Sequence, residues 1–183
     1  MEVFDDLVKR IVKSFNAAGL DYMFTGALAA TFYGLPRTTT DVDVVVGVFG
    51  EDRRNKLLLA LRRAGLLVNE KEIDKMFVSG DRIATFRDSR TPYSVDVMFS
   101  NGKLEKRAGT IAGLRTFYQT PEDLVLAKLR MIKATVPRER ALKDVEDVKA
   151  IMKFTKVDVK AVRKGARKNS ALSLFESITA EVS

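Results

Sequence analysis

Cysteine and histidine are both absent from this chain of 183 residues. Without cysteine there are no disulfides, thiol nucleophiles or thiolate zinc sites, and without histidine there are no Ser-His-Asp triads or imidazole metal sites. Glutamine occurs once, whereas lysine, arginine and glutamate are frequent, a balance typical of thermophilic proteins. Any catalysis must therefore depend on carboxylates, whose natural metal partners are hard cations.

Long apolar runs are also missing, since none approaches the ~20 residues that a membrane-spanning helix needs. The N-terminus is acidic and has no basic region, which argues against a secretory signal peptide. With 46% hydrophobic and 31% charged residues, the chain has the composition of a folded protein rather than a disordered one. We therefore expect a cytoplasmic protein without a membrane partner.

Positive charge is concentrated in the later part of the chain. Residues 1–102 carry 14 basic and 14 acidic residues, whereas residues 103–168 carry 18 basic and 8 acidic ones. Around a predicted helix over 157–167, cations recur at spacings of three and four, which places them in one stripe: Lys156, Lys160, Arg163, Lys164, Arg167 and Lys168. A basic C-terminal helix of this kind suits the phosphates of RNA, and a solubilising surface is the alternative explanation.

Hydrophobic periodicity predicts two domains with a boundary near residue 119. The first part, 1–119, mixes both element types: helices are predicted at 3–18, 28–33 and 51–64, and strands at 22–24, 41–46, 66–68, 83–87 and 93–99. The second part, 120–183, has only helical patterns, at 120–133, 138–153 and 157–167. We therefore expect an α+β domain followed by a C-terminal helical domain.

Asp41 and Asp43 are the first candidate site residues. They stand two positions apart at the start of a β-branched strand, so both side chains leave the same face, with Cα atoms ~6.6 Å apart. Two carboxylates at this separation can converge on a pair of divalent cations. The alternative is that the segment still belongs to the preceding loop and that both side chains point into water.

Asp96 is a third carboxylate, isolated inside the apolar strand 93–99. If this strand lies beside 41–46, three carboxylates meet at one point, an arrangement that suits a magnesium ion that also binds phosphate oxygens. A salt bridge between Asp96 and an arginine such as Arg87 is the alternative explanation.

The Gly26-Ala27 turn joins a short predicted strand directly to a helix. The first turn of a helix has backbone N–H groups without intrahelical acceptors, and phosphate oxygens bind such groups. Glycine lets the phosphate approach the backbone closely.

Taken together, these residues resemble the nucleotidyltransferase fold of the DNA polymerase beta superfamily. That signature is a hydrophobic strand ending in Gly-Ser or Gly-Gly, then Asp-hydrophobic-Asp/Glu after a gap, then a carboxylate on a later strand; Gly26-Ala27, Asp41-Val42-Asp43 and Asp96 take those places. The segments 25–34, 36–43 and 120–130 are similar to a small prokaryotic branch related to abortive-infection nucleotidyltransferase toxins. The resemblance covers about residues 20–153.

The resemblance implies an α+β fold with a mixed β-sheet, flanking helices and a helical C-terminal part. It also implies metal-dependent transfer of a nucleoside monophosphate from a nucleoside triphosphate to an acceptor hydroxyl, with RNA among the candidate acceptors. Asp41 and Asp43 would hold two Mg²⁺ ions, for which Mn²⁺ is a substitute. Asp96 would hold one of them and accept the proton of the attacking hydroxyl.

The implied substrate contacts come from both parts of the chain. The backbone of Gly26 and Ala27 would bind the triphosphate, Arg37 would steady it, Thr38 or a neighbouring threonine would supply a hydroxyl, and Lys128 would reach it from the helical part. For Arg37 and Lys128, a solvated side chain is the alternative. Because the superfamily often has serine where this chain has Ala27, a second hypothesis is a catalytically weak or inactive nucleotide- or nucleic-acid-binding protein of the same fold.

Overall fold

The chain folds into two compact units. The computed structural model describes residues 2–34, 36–47, 52–79 and 83–180. One unit contains the residues up to Ala27 together with Thr38–Tyr118, and the other contains Leu28–Arg37 together with the residues from Gln119 onward. The sequence predicts a domain boundary near residue 119 and includes residues 28–37 in the first domain. In the structure, Leu28–Arg37 is grouped with the second unit.

A mixed sheet of seven strands forms the first unit and confirms the predicted α+β class. The strands are β1 (Tyr22–Phe24), β2 (Asp41–Gly47), β3 (Leu66–Leu67), β4 (Ile83–Asp88), β5 (Ser94–Ser100), β6 (Lys106–Ile111) and β7 (Leu114–Gln119). Their order across the sheet is β3-β4-β5-β2-β1-β7-β6. The β2–β5 and β1–β7 pairs are parallel, and the β1–β2, β3–β4 and β4–β5 pairs are antiparallel.

Helices accompany the sheet and make up the second unit. They are α1 (Glu2–Ala17), α2 (Gly26–Tyr33), α3 (Asp52–Arg63), α4 (Glu70–Ser79), α5 (Pro121–Ala134), α6 (Leu142–Phe154), α7 (Val159–Lys168) and α8 (Leu172–Ala180), with a 3-10 helix at Arg138–Ala141. Among the helices of the described residues, none combines the length and the apolar character needed to cross a membrane.

The two faces of β2 and β5 differ sharply in burial. Val42, Val44, Val95 and Val97 are fully buried, while the residues that alternate with them are half-exposed. The period of two along each strand produces this difference, because successive side chains leave opposite faces. The same core contains large side chains of α1 and α3, namely Leu7, Ile11, Phe15, Leu57 and Leu61.

Four elements were not predicted from the sequence: α4, α8 and the hairpin of β6 and β7. The hairpin turns at Ala112-Gly113, and both residues have positive φ, +49° and +78°. A two-residue turn of this kind normally uses Asn or Gly at its first position. Because this chain has Ala112 there, the usual sequence signal of a hairpin is missing. The predicted helix over 138–153 is also modified, since its first turn is a 3-10 helix.

Capping residues fix the helix starts in the second unit. Thr120 caps α5, with its hydroxyl accepting a hydrogen bond from the backbone N–H of Asp123. Asp158 caps α7 by accepting from the N–H groups of Lys160 and Ala161, which explains why this helix begins at Val159 rather than at residue 157.

A buried ion pair joins α1 to the end of β4 in the first unit. Arg10 donates two hydrogen bonds, of 3.0 and 2.9 Å, to the fully buried carboxylate of Asp88. Arg10 also donates to the backbone oxygen of Ala64, and Asp88 accepts a further hydrogen bond of 2.8 Å from Thr91. A carboxylate buried in this way is stable only while its charge remains paired.

We therefore expect Arg10→Ala to lower the free energy of unfolding by about 3–5 kcal/mol, because it leaves the Asp88 charge buried without its partner. Lys56→Ala is the matched control, since Lys56 pairs with Asp52 on the surface and its loss should cost less than about 1 kcal/mol. Urea titration followed by circular dichroism measures both values. Equal, small losses for the two variants would contradict a structural role for the buried pair.

Candidate active site

The three predicted carboxylates lie on one face of two neighbouring strands. In the parallel β2–β5 ladder, Asp43 stands directly opposite Asp96, and Asp41 stands opposite Ser94. Asp41, Asp43 and Asp96 are all partly exposed, in alternation with the buried valines. Paired residues of adjacent strands project to the same side of a sheet, so the three carboxylates share the half-exposed face.

Gly26 packs directly against the middle carboxylate of this set. A Cβ atom at Gly26 would stand 1.9 Å from Oδ2 of Asp43, and the residue has a φ of +56°. The backbone N–H of Thr25 donates to the backbone oxygen of Asp43 at 3.0 Å, which holds the two segments together. Only glycine fits here, and its small size lets the first turn of α2 begin beside the Asp43 carboxylate.

Threonine hydroxyls contact the other two carboxylates. The hydroxyl of Thr39 donates to Oδ1 of Asp41, and the hydroxyl of Thr85 donates to Oδ1 of Asp96 at 2.6 Å. Thr85 lies on β4 directly opposite Asp96. It was not predicted from the sequence, because its position beside the site depends on the antiparallel register of β4 and β5, which no local pattern reveals.

The alternative of an ion pair between Asp96 and Arg87 does not occur. In the ladder between β4 and β5, Arg87 stands opposite Ser94. In the parts of the chain that the structure describes, the polar partner of Asp96 is Thr85 rather than an arginine.

The strand face that contains Asp41, Asp43 and Asp96 has the ligand type and the backbone spacing expected for a divalent-cation site. Three carboxylates on one face supply the hard oxygen ligands that Mg²⁺ and Mn²⁺ prefer. As the side chains are placed, however, no group of three acidic residues within residues 2–34, 36–47, 52–79 and 83–180 converges closely enough to hold a metal ion. The assignment of Asp41, Asp43 and Asp96 as metal ligands therefore stays a prediction.

Ala27 and Thr38, two of the predicted substrate-binding residues, differ in exposure. Ala27 is only 3% exposed, so its methyl group is packed in the protein. Any phosphate contact at this position would come from the backbone N–H. Thr38 is exposed, at the point where the chain enters the first unit again.

Arg37 and Lys128 belong to the second unit, where they share a partly buried group of charges. Lys128 is 4% exposed and its ammonium lies 2.9 Å from Asp144 and 2.6 Å from Asp147. Arg37 lies 3.2 Å from Asp147. Both carboxylates link α6 to α5 through Lys128, and Asp147 also links α6 to the segment that follows α2 through Arg37.

Gly26→Ala tests the close approach between α2 and Asp43. The variant should be destabilised because of its positive φ and because its Cβ displaces the Asp43 carboxylate. Gly19→Ala is the matched control, since Gly19 has a φ of +61° but no atom within 4 Å of the added Cβ. We expect a loss of about 1–2 kcal/mol for Gly19→Ala and at least about 1 kcal/mol more for Gly26→Ala in chemical unfolding. If both variants lose the same amount, the close approach is not needed for stability.

No protein-family model matches this chain, and no curated protein matches it. Solved structures that are similar to it over nearly its whole length include two of one antibiotic-resistance factor and one of a nucleotidyltransferase-like protein. The solution structure of the antibiotic-resistance factor ANT(2'')-Ia has a TM-score of 0.65 at 13% identity and covers 98% of both chains. The crystal structure of ANT(2'')-Ia in complex with adenylyl-2''-tobramycin has a TM-score of 0.59 at 12% identity, with 99% of both chains covered.

The third is an antigenic nucleotidyltransferase-like protein from Paracoccidioides brasiliensis, with a TM-score of 0.54 at 12% identity, which covers 95% of this chain and 92% of that one. At such low identity the likeness concerns the fold. The similarity extends over both units, and the chain has the nucleotidyltransferase fold that its carboxylate motif led us to expect.

Proposed function

We propose that this protein is a metal-dependent nucleotidyltransferase, which moves a nucleoside monophosphate from a nucleoside triphosphate to an acceptor hydroxyl. The observation that carries the proposal is the register that sets Asp96 beside Asp43, with Asp41 on the same face, in a chain of this fold. The cytoplasm, which supplies nucleoside triphosphates and Mg²⁺, is the compartment in which we expect it to act.

In this proposal Asp41, Asp43 and Asp96 hold Mg²⁺, with two ions shared between them and Mn²⁺ as a substitute. A bound cation there would draw negative charge from the α-phosphate and from the departing pyrophosphate. Asp43 is the register partner of Asp96, and Asp41 lies two residues before Asp43 on the same strand face, which supports the proposal. Metal binding would require the three side chains to rotate toward one another.

The start of α2 is the proposed triphosphate contact. The first backbone N–H groups of a helix lack intrahelical acceptors, and at Gly26 the backbone of this first turn lies against the Asp43 carboxylate. Thr38 is exposed and remains a candidate for a further hydroxyl contact. Arg37 and Lys128 are further proposed phosphate contacts. Both cations already pair with Asp147, so a phosphate that binds them would compete with this carboxylate.

The proposed transfer forms one bond and breaks one bond at the α-phosphorus. The oxygen of the acceptor hydroxyl attacks this phosphorus, and the bond to the bridging oxygen of pyrophosphate breaks. Asp96 accepts the proton that the acceptor hydroxyl loses, and the pyrophosphate oxygen takes up the electron pair of the broken bond.

A second candidate function is nucleotide binding without transfer. Ala27 favours it, because the serine hydroxyl frequent in this fold is missing and the alanine methyl is buried. The present placement of the three carboxylates, which do not converge on a common point within the described residues, favours it as well. Turnover is the property that separates the two candidates.

For the acceptor, we propose RNA bound by the cationic face of α7. Val162 and Ala166 are fully buried and anchor the helix. Five of the six predicted basic residues are exposed on it, namely Lys160, Arg163, Lys164, Arg167 and Lys168, and Lys156 is exposed in the segment before the helix. Within this stripe, Arg163 lies 4.0 Å from Glu176 on the surface. The structural neighbour ANT(2'')-Ia was solved with an adenylylated aminoglycoside, which is a polycation. A basic surface suits a polyanion instead.

The transfer proposal predicts that Asp43→Asn lowers transfer by at least about 100-fold, because charge stabilisation by a bound cation contributes several kcal/mol to the transition state. The measurement uses α-labelled nucleoside triphosphates with Mg²⁺, and follows both label transfer to cellular RNA and pyrophosphate release. EDTA should abolish transfer, and added Mg²⁺ or Mn²⁺ should restore it. Asp52→Asn, which changes an exposed carboxylate of the same unit, is the control and should keep the parental rate.

Full activity of Asp43→Asn would rule out the proposed site. Nucleotide binding by the parent chain, without label transfer or pyrophosphate release with any nucleotide or acceptor pool, would establish the second candidate function instead.

The RNA proposal predicts a steep salt dependence of binding that originates in α7. Replacing Lys160, Arg163, Lys164 and Arg167 by alanine should reduce the slope of log affinity against log salt by about 3, since each phosphate contact on a single strand contributes about 0.7. A variant with Lys9, Lys13, Lys71 and Lys103 replaced is the matched control. It loses the same charge from exposed positions of the other unit and should keep the parental slope. Equal slopes for both variants and the parent would leave a small molecule or a protein as the acceptor.

A further inference from the structure

We propose that a groove formed by α6, α7 and α8 binds a guanine base of a single-stranded RNA whose phosphates lie on the cationic face of α7. The inference rests on the RNA acceptor of the proposed function, but it does not depend on the metal site or on transfer itself.

The groove lies wholly in the second unit, and its size suits a small ligand. Its volume is about 410 Å³, and ligand pockets in proteins commonly measure about 300–1,000 Å³. Three helices supply its apolar wall: Met152 from α6, Val159 from α7 and Phe175 from α8. Phe175 is 1% exposed and therefore held firmly, whereas Val159 is 39% exposed. The flat face of a nucleobase packs well against apolar and aromatic surface of this kind.

Three polar side chains line the same groove and give it a defined pattern of donors and acceptors. Glu176 and Thr179 stand three residues apart on α8, so they share one face of that helix. The Thr179 hydroxyl donates its hydrogen to the backbone oxygen of Phe175 at 2.9 Å, so toward a ligand this oxygen can only accept. The Glu176 carboxylate likewise only accepts, while Arg163 on α7 supplies donors. The α8 side of the groove therefore calls for a ligand with donors.

Glu176 and Arg163 are not committed to each other. Oε1 of Glu176 lies 4.0 Å from Nε of Arg163, which is beyond hydrogen-bond distance, and both side chains are about half exposed. A surface pair with this geometry contributes little to stability. A ligand can therefore bind either group at a small cost.

Guanine is the base that matches this pattern. Its Watson–Crick edge has two adjacent donors, the N1–H and the N2 amino group, which one carboxylate can accept together, and its O6 and N7 atoms accept from an arginine. Adenine and cytosine each offer one amino donor beside a ring nitrogen that accepts, and uracil offers one N–H between two carbonyl oxygens. Against those three edges the carboxylate would face an acceptor, and one of the two hydrogen bonds would be lost.

The groove is continuous with the surface proposed to bind phosphates, because Arg163 belongs to both. A strand that follows the cationic face of α7 would pass the groove, where one unstacked base can enter. Proteins that read single-stranded RNA commonly combine phosphate contacts with a pocket for such a base.

The test measures binding of the full chain to short fluorescent uridine oligomers by anisotropy at low salt. The central nucleotide is guanosine, inosine, adenosine or an abasic ribose; inosine differs from guanosine only by the missing N2 amino group. The parent should bind the guanosine oligomer about five-fold more tightly than the inosine oligomer, the effect of one hydrogen bond, and at least about 10-fold more tightly than the adenosine or abasic oligomer.

Glu176→Gln should reduce the preference for guanosine over adenosine to less than about two-fold, because the amide keeps a single acceptor oxygen. The variant also loses a negative charge near the phosphates, so the ratio of affinities is compared rather than the affinity itself. Glu146→Gln is the matched control, since Glu146 is an exposed glutamate of α6 outside the groove, and it should keep the parental ratio. Val159→Ala removes part of the apolar wall and should weaken the guanosine oligomer about three-fold, with the abasic oligomer unchanged.

The outcomes separate this inference from the proposed function. Equal affinity of the parent for the four oligomers would overturn the base site and leave RNA as the proposed acceptor. A guanosine preference that Glu176→Gln keeps, or that Glu146→Gln also loses, would overturn the assignment of the base to this groove. If guanosine monophosphate alone binds as tightly as the guanosine oligomer, the groove takes a free nucleotide and its role in holding RNA fails. Absence of binding to every oligomer would overturn both the base site and the RNA acceptor.

Discussion

The contact between Gly26 and Asp43 is the constraint on which the candidate site depends. The backbone at Gly26 lies so close to the carboxylate that no side chain can stand between them. This contact fixes where β1 ends and α2 begins, and it sets the free N–H groups of the helix beside the middle carboxylate. The antiparallel pairing of Phe24 on β1 with Val44 on β2 keeps the end of β1 beside the strand that contains Asp43. A helix start and an acidic strand thereby become parts of one surface.

The second requirement is the parallel pairing of β2 with β5. Seven residues of each strand pair in register, and buried valines on the far face secure that register. A shift by one residue would bury the carboxylates and expose the valines, so the core that stabilises the sheet also places the acidic residues. Like charges on adjacent strands have an electrostatic cost. Half-exposure and the two threonine hydroxyls reduce it, and a bound cation would offset it further.

Much of this surface could be predicted from the sequence, because the signals for it lie in residues that are close together along the chain. The alternation of polar and apolar residues around Asp41, Asp43 and Asp96 indicates which strand face each carboxylate occupies, and Gly26 indicates a turn. Thr85 could not be found this way, since its neighbour is set by the pairing of two strands. The pairing of Lys128 with Asp147 was missed for the same reason: it joins positions on different helices. The β6–β7 hairpin was missed because Ala112 adopts a backbone conformation that favours glycine or asparagine.

The second unit is assembled from two separate stretches of the chain. Tyr33 donates to the backbone oxygen of Gln119 at 2.7 Å, its own backbone oxygen accepts from Thr155, and a Cβ at Gly34 would meet the Cβ of Ala150 at 2.9 Å. A fragment that begins at residue 119 would lack the partner of all these contacts. The helical unit therefore cannot be exchanged between proteins as one continuous C-terminal segment. A protein that acquires this unit, with the cationic face of α7, also needs the segment Leu28–Arg37.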